Sequence, residues 1–255
     1  MSAGQQGRRR SDEREFIQTD VDVDALADGI FARYAGEQPI VIEGVPATAT
    51  YFEASYCPDL RVMKMAGRLA AAVNQAALTD GNQDTSPLPL RVSVEEIMLA
   101  ALLHDLGKHH EDCAPLLALM RTTDLRGTGD EAAVARKAHL LGIVRDVHCR
   151  KGPCMIDRLH DAGRPELNNP FIATAARRHG DDYEANRSAG SGCWWAREIN
   201  VITIADDYDA MTSSGPERAY KPTTMTDDDA AALIRAGVAS GRYEPAIAEI
   251  FLKNL

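Results

Sequence analysis

The residues with the clearest chemical potential are His104 and Asp105, followed by Lys108. Seven apolar residues, Ile97 to Leu103, run directly into this doublet. A helix that is apolar all round is buried, so the doublet sits at the end of a buried helix. An ionised Asp there costs several kcal/mol unless it is paired or metal-bound. His104 and Lys108 share a helical face at i,i+4. Two readings are open at this point. One is a metal site, and the other is a His-Asp pair at the helix end with Lys108 as the acid's partner.

Further candidates lie downstream. In the segment ADDYDAMTS, Asp206 and Asp209 continue the helical stripe of Ile199 and Ile202, so Asp206 is expected to face inward, while Asp207 falls off the stripe and is expected to be solvated. His179 follows Ile172, Ala175 and Ala176 on one face, and His148 lies below Leu141 and Val144. Neutral imidazoles and carboxylates at helix ends suit a borderline divalent metal such as iron, manganese or zinc.

The elements that must position these groups read as helices almost throughout. A helix is expected from about Val21 to a stop at Gly36, and a long one over about 58–78. Ser93 and Glu96 form a capping-box pattern before the apolar run, with Gly107 as its C-terminal stop. Shorter helices are expected over about 113–120, up to near His148, and from Asn169 (cap) and Pro170 through His179. A polar stretch, residues 180–192, is expected to be a mobile, solvent-facing loop. The last helices cover about 195–212, a segment capped by Thr226, and one opened by Pro245. PIVIEGV, residues 39–45, is the one good strand candidate. The fold class is all-α: a helical bundle over 51–255, an N-terminal extension over 16–50 and a disordered N-terminus over 1–15.

The 255 residues carry a net charge of −10, which argues against a duplex nucleic-acid partner. No run of about 18 apolar residues occurs, so no membrane partner is expected. Residues 1–15 lack the apolar region of a secretory signal. The five cysteines, 57, 113, 149, 154 and 193, form no CxxC and are odd in number, which points to a reducing, cytoplasmic setting. His148, Cys149, Cys154 and His160 could make a small zinc site, but their spacings fit no common zinc finger. The simplest reading of these cysteines is as small buried hydrophobes.

Taken in order, HDLGK, His148-x-x-x-Gly152, His179 before an acidic loop, and ADDYDAMTS resemble the HD-domain phosphohydrolases, most closely the HD-GYP branch that hydrolyses cyclic di-GMP. The resemblance runs from about Cys57 to the closing segment GRYEPAIAEIFL. It implies an HD-like helical bundle with a metal centre. It implies His104, Asp105, His148, His179 and Asp206 as metal ligands, with Asp105 bridging two ions. Lys108 and Arg218 would contact substrate phosphate, and Asp209 would orient a ligand or the attacking water unless it is a solvated or capping acid. His139 competes with His148, but its Gly142 sits one place too early.

The sequence also departs from the family. Where an early metal His is expected, three residues before the Arg61-Val62 pair, it has Pro58, with Cys57, Asp59 and Glu53 as the available substitutes. The second His of the family's His-His pair is Gly180, and the GYP tripeptide is missing. Residues 81–90 and about 119–130 look like insertions near the site. The implied cofactor is one or two divalent ions, iron or manganese first, then zinc or magnesium. The implied activity is hydrolysis of a nucleotide-type phosphodiester or phosphate ester, with cyclic di-GMP a poor substrate. Two alternatives stand beside it: a catalytically degenerate domain that binds a nucleotide or a protein, and a diiron centre running oxygen chemistry. Residues 16–50 could serve as a regulatory stub or as a helix that forms a homodimer.

Overall fold

The computed structural model describes residues 21–34, 56–79, 89–122, 131–189, 194–213 and 224–255. Ten α-helices and two 3₁₀ turns make up these residues, and no strand occurs among them. The all-α expectation is therefore met. The strand candidate at 39–45, the N-terminal 1–15 segment and Arg218 lie outside the described residues.

The core is built around one short helix, α3 (Val94–Leu103). Its start is the capping box read from the sequence: the Ser93 hydroxyl accepts from Glu96 N at 3.1 Å, and Glu96 Oε2 accepts from Ser93 N at 2.9 Å. Val94 and every residue from Ile97 to Leu103 are buried. Each fully buried Leu or Ile contributes roughly 1.5–3 kcal/mol of hydrophobic stabilisation. Three helices wrap α3: α2 (Tyr56–Thr79), α6 (Pro170–Arg178) and α8 (Ala196–Thr212). Helix α1 (Val23–Tyr34) lies against α2 and α3, burying Ala27, Ile30 and Tyr34. Helices α9 (Asp227–Ala239) and α10 (Pro245–Lys253) close the far side of α8, capped by Thr226 and Glu244.

Three boundaries differ from the sequence reading. Helix α3 ends at Leu103, and a 3₁₀ turn over Leu106–His109 follows. Gly107 is not in the left-handed conformation of a C-terminal stop. Its lack of a side chain matters for packing: a Cβ there would lie 2.0 Å from the His148 carbonyl oxygen. Second, helix α5 (Glu131–Asp161) does not end near His148. It continues through Pro153, whose missing N–H leaves the Cys149 carbonyl without its helical donor. Burial of Met155, Ile156 and Leu159 holds the helix beyond that point. Third, the stretch after His179 is not simply a solvent-facing loop. It contains α7 (Tyr183–Ser188), and both Gly180 and Asn186 are buried. Tyr183 N and Glu184 N donate to the carbonyls of Arg242 and Gly241, which pins α7 to the α9–α10 junction. Helix α4 (Ala114–Thr122) packs on α5.

Candidate metal centre

Four helix segments bring the sequence-nominated ligands together. His104 is the C-cap of α3, and Asp105 is the next residue. His148 comes from the middle of α5 and His179 caps the end of α6. Asp206 comes from α8. Small residues allow this convergence. Gly107 meets the α5 backbone at His148 and Gly152, and a Cβ on Gly152 would lie 2.9 Å from the Ala176 Cβ. The Thr203 hydroxyl donates to the His179 carbonyl at 2.8 Å and so ties α8 to the end of α6.

All three imidazoles are fixed in the same sense. Nδ1 of His104 faces the Ala101 carbonyl at 2.6 Å, and Nδ1 of His148 faces the Val144 carbonyl at 2.8 Å. His179 Nδ1 lies 3.2 Å from the Ala176 carbonyl. A carbonyl can only accept, so Nδ1 carries the proton in each ring. When the rings are neutral, each Nε2 presents a lone pair to the interior. This is the orientation seen in metal-bound histidines, whose other nitrogen is held by a carbonyl or carboxylate.

Those Nε2 atoms converge on Asp105. Oδ1 lies 3.2 Å from His148 Nε2 and 3.7 Å from His179 Nε2. Oδ2 lies 3.5 Å from His104 Nε2 and is bonded by the Lys108 ammonium. His104 Nε2 also lies 3.5 Å from Asp206 Oδ1. The Asp105 carboxylate thus faces two donor sets, one through each oxygen. His104 and His179 pack edge-on at a ring-centroid distance of 4.8 Å.

The electrostatics match this crowding. Burial opposes a charge on His104, but Asp105 and then Asp206 outweigh it and push its pKa up to about 10. Burial would raise Asp105, yet Lys108 and His104 hold its carboxyl well below the usual range. Asp206 is likewise held low, chiefly by His104 against the effect of burial. His104 Nε2 is fully buried and makes no hydrogen bond.

The donors fit a divalent cation. His104, Asp105 and His179 form one group of residues that could hold an ion, and His148, Cys149 and His179 form another. The second group contains a residue that the sequence reading took for a buried hydrophobe. Cys149 is instead half-buried, with Sγ 3.5 Å from His148 Nε2 and 3.9 Å from His179 Nε2. Cys154 is exposed, and His160 points to Asp161, so neither joins the group. His139 is exposed on α5, nine residues before His148.

Other nominated residues have different surroundings. Asp209 is 2% exposed and is held by Arg61 Nε at 2.8 Å and by the Ser213 hydroxyl at 2.6 Å. Its carboxylate joins α8 to α2. Asp207 is not merely solvated: Arg242 and the Tyr243 hydroxyl donate to Oδ2 at 2.6 and 2.8 Å. Asp59, one of the substitutes for the early histidine, is buried in the first turn of α2, and its charge raises the pKa of both His104 and Lys108. Glu53 and the Cys57 side chain lie outside the described residues.

A cavity of about 510 Å³ adjoins the centre, with Cys149 in its wall. Arg145 and Arg150 of α5 and Arg177 and Arg178 of α6 line it. Arg150 pairs with Asp146 and Arg178 with Asp181, whereas Arg145 and Arg177 have no anionic partner among the described residues. No single segment announces this cavity, because its arginines come from two successive helices and meet only through the way α5 and α6 pack. No helix among the described residues is long and apolar enough to cross a membrane. Compared with known proteins, the chain matches no family model, no curated protein and no solved structure.

Proposed function

We propose that the chain is a metal-dependent phosphohydrolase acting on a nucleotide-type phosphodiester or phosphate ester. The observation that carries this reading is the division of Asp105, whose two oxygens face separate groups of histidine Nε2 atoms, one of them buried and without a hydrogen bond. Asp105 Oδ2, His104 and Asp206 would hold one ion, and Asp105 Oδ1, His148 and His179 a second. Iron or manganese suits this mixed nitrogen and oxygen set, with zinc or magnesium as the other candidates. Such an ion supplies a water that ionises near neutral pH and offsets negative charge on phosphate oxygens.

The chain's own residues would do the rest. Lys108 has a side chain 36% exposed and can reach a phosphate oxygen from the edge of the site. Arg145 and Arg177 add positive charge to the neighbouring cavity, which suits an anionic substrate. Asp209 would keep α8 in register through Arg61 and so set the position of Asp206 one turn earlier. The missing GYP tripeptide after His179 makes cyclic di-GMP a poor substrate on this reading, and linear nucleotides or other phosphate esters better ones.

One observation favours a binding-only domain instead: Lys108 already neutralises Asp105. The test is elemental analysis of the purified protein, joined to a screen of phosphatase and phosphodiesterase substrates that includes cyclic di-GMP. One or two ions per chain with turnover of a phosphate ester supports the hydrolase. Metal-free protein that cannot be loaded and turns over nothing supports the binding module, and iron with oxygen consumption supports the diiron alternative.

A further inference from the structure

We propose that Cys149 is a metal ligand, so that one half of the centre has a thiolate beside its imidazoles and carboxylate. The inference rests on the reading that this cluster holds a metal, and it adds a ligand that changes which metals fit.

The geometry carries it. Zinc-to-ligand distances are about 2.0–2.1 Å for nitrogen and about 2.3 Å for sulfur. Two nitrogens on one tetrahedral ion therefore stand about 3.3 Å apart, and a nitrogen and a sulfur about 3.6 Å apart. His148 Nε2 and His179 Nε2 are 3.1 Å apart, and Cys149 Sγ lies 3.5 and 3.9 Å from them. Asp105 Oδ1 lies 3.2 and 3.7 Å from the same two nitrogens. Both imidazoles are turned by their Nδ1 bonds so that Nε2 faces inward. Two facing Nε2 lone pairs at this separation repel unless a proton or a cation lies between them.

The site also makes room for the sulfur. A Cβ on Gly180 would lie 3.3 Å from Arg145 Nε and reach contact with Cys149 Sγ at 3.4 Å, so Gly180 leaves the space beside the thiol open. Binding would release the thiol proton to solvent and leave Sγ as the thiolate that ligates. A thiolate in the set favours zinc or iron over magnesium and manganese, which are harder ions and bind sulfur less well.

The test is cobalt(II) titration of the metal-stripped full chain, as wild type and as Cys149→Ser and Cys154→Ser variants. Cobalt content is measured directly, and sulfur-to-cobalt charge transfer is followed in the near ultraviolet. The expected result is a charge-transfer band in wild type and Cys154→Ser that is lost in Cys149→Ser, which still binds cobalt at the remaining donors, roughly tenfold or more weakly. Bound cobalt without the band in wild type overturns the proposal and leaves the metal centre standing. A band that persists in Cys149→Ser also overturns it. Failure of wild type to bind cobalt, zinc or iron overturns the metal reading itself. Should Cys149→Ser not fold, wild type alone decides: zinc should protect Cys149, but not exposed Cys154, from iodoacetamide, as mapped by peptide mass. Equal alkylation of Cys149 with and without zinc overturns the assignment.

Discussion

Gly107 packs against His148 so closely that a Cβ on Gly107 would sit 2.0 Å from the His148 carbonyl oxygen. That carbonyl belongs to the helix backbone and cannot swing aside. The contact fixes how far α5 stands from the 3₁₀ turn after Asp105, and so fixes the 3.2 Å approach of His148 Nε2 to Asp105 Oδ1. Gly107→Ala should therefore destabilise the fold by about 2 kcal/mol or more and lower metal content in the same preparation. Gly29→Ala is the control, because nothing lies within 4 Å of its Cβ in helix α1. It should raise the melting temperature slightly, by up to about 1 kcal/mol of stability. Equal effects of the two substitutions on thermal unfolding would remove the packing argument.

Asp105 offers an oxygen to each donor set, so its loss should affect both together. Asp105→Asn keeps the shape but removes the charge that offsets Lys108 and His104. Metal content measured by elemental analysis should fall to background, and turnover with it. Leaving the buried partners uncompensated should also cost about 3 kcal/mol in stability. Full metal content in this variant would show that Asp105 does not join the two sets.

Local signals in the sequence proved the most legible. Ser93 with Glu96, Asn169 with Pro170, Thr226 and Pro245 each begin a helix as read, because capping is decided within four residues of chain. Helix α5 runs past the expected end near His148, and even through Pro153, because the burial of Met155, Ile156 and Leu159 overrides the local signals. The five nominated ligands do converge, since a polar residue at the end of an apolar stripe has few places to go but inward. Cys149 was legible only as a neighbour of His148 in a cluster with Cys154 and His160, not as a neighbour of His179. Its relation to His179 depends on how α5 crosses α6, and the Gly107 and Gly152 contacts that set this crossing are long-range. The arginine cavity was hidden for the same reason.

Lys108 should behave differently from the ligands. Its ammonium contacts Asp105 Oδ2 but is not a metal donor. Lys108→Ala removes a cation that competes for that oxygen. Metal content should therefore stay the same or rise, while kcat/KM for a phosphate ester falls at least tenfold, a loss of about 1.4 kcal/mol in transition-state stabilisation. Loss of metal together with activity would assign Lys108 to holding the site's structure.

The arginine cavity gives a separate handle on the substrate. Arg145 and Arg177 are exposed and lack anionic partners, so removing them should leave the fold intact. The double variant Arg145→Ala/Arg177→Ala should keep its melting temperature and metal content, and raise KM for anionic phosphate esters severalfold with kcat less affected. The KM increase should shrink at high salt, since wild-type attraction is then screened. An unchanged KM across ionic strength would separate the cavity from substrate binding.

The last prediction concerns a buried acid outside the site. Glu198 is 2% exposed at the start of α8, and its Oε1 accepts from Arg91 N at 2.6 Å. Burial raises its pKa above the ordinary value, against the opposing effects of the Arg91 N–H and nearby arginines. A carboxyl with a raised folded-state pKa binds its proton more tightly folded than unfolded. Its penalty is absent at pH values below the unfolded pKa, about 4.3, and grows as pH rises through the folded value. Glu198→Gln keeps an oxygen to accept from Arg91 N but cannot ionise. The variant should therefore melt at a higher temperature than wild type at pH 7 to 8, and the gap should close as pH falls toward 4. Because Asp105, Asp206 and the histidines are common to both proteins, their own pH dependence cancels in the difference. A gap that is constant with pH, or that widens in acid, would mean that the Glu198 carboxylate is better accommodated by the Arg91 N–H than its burial implies.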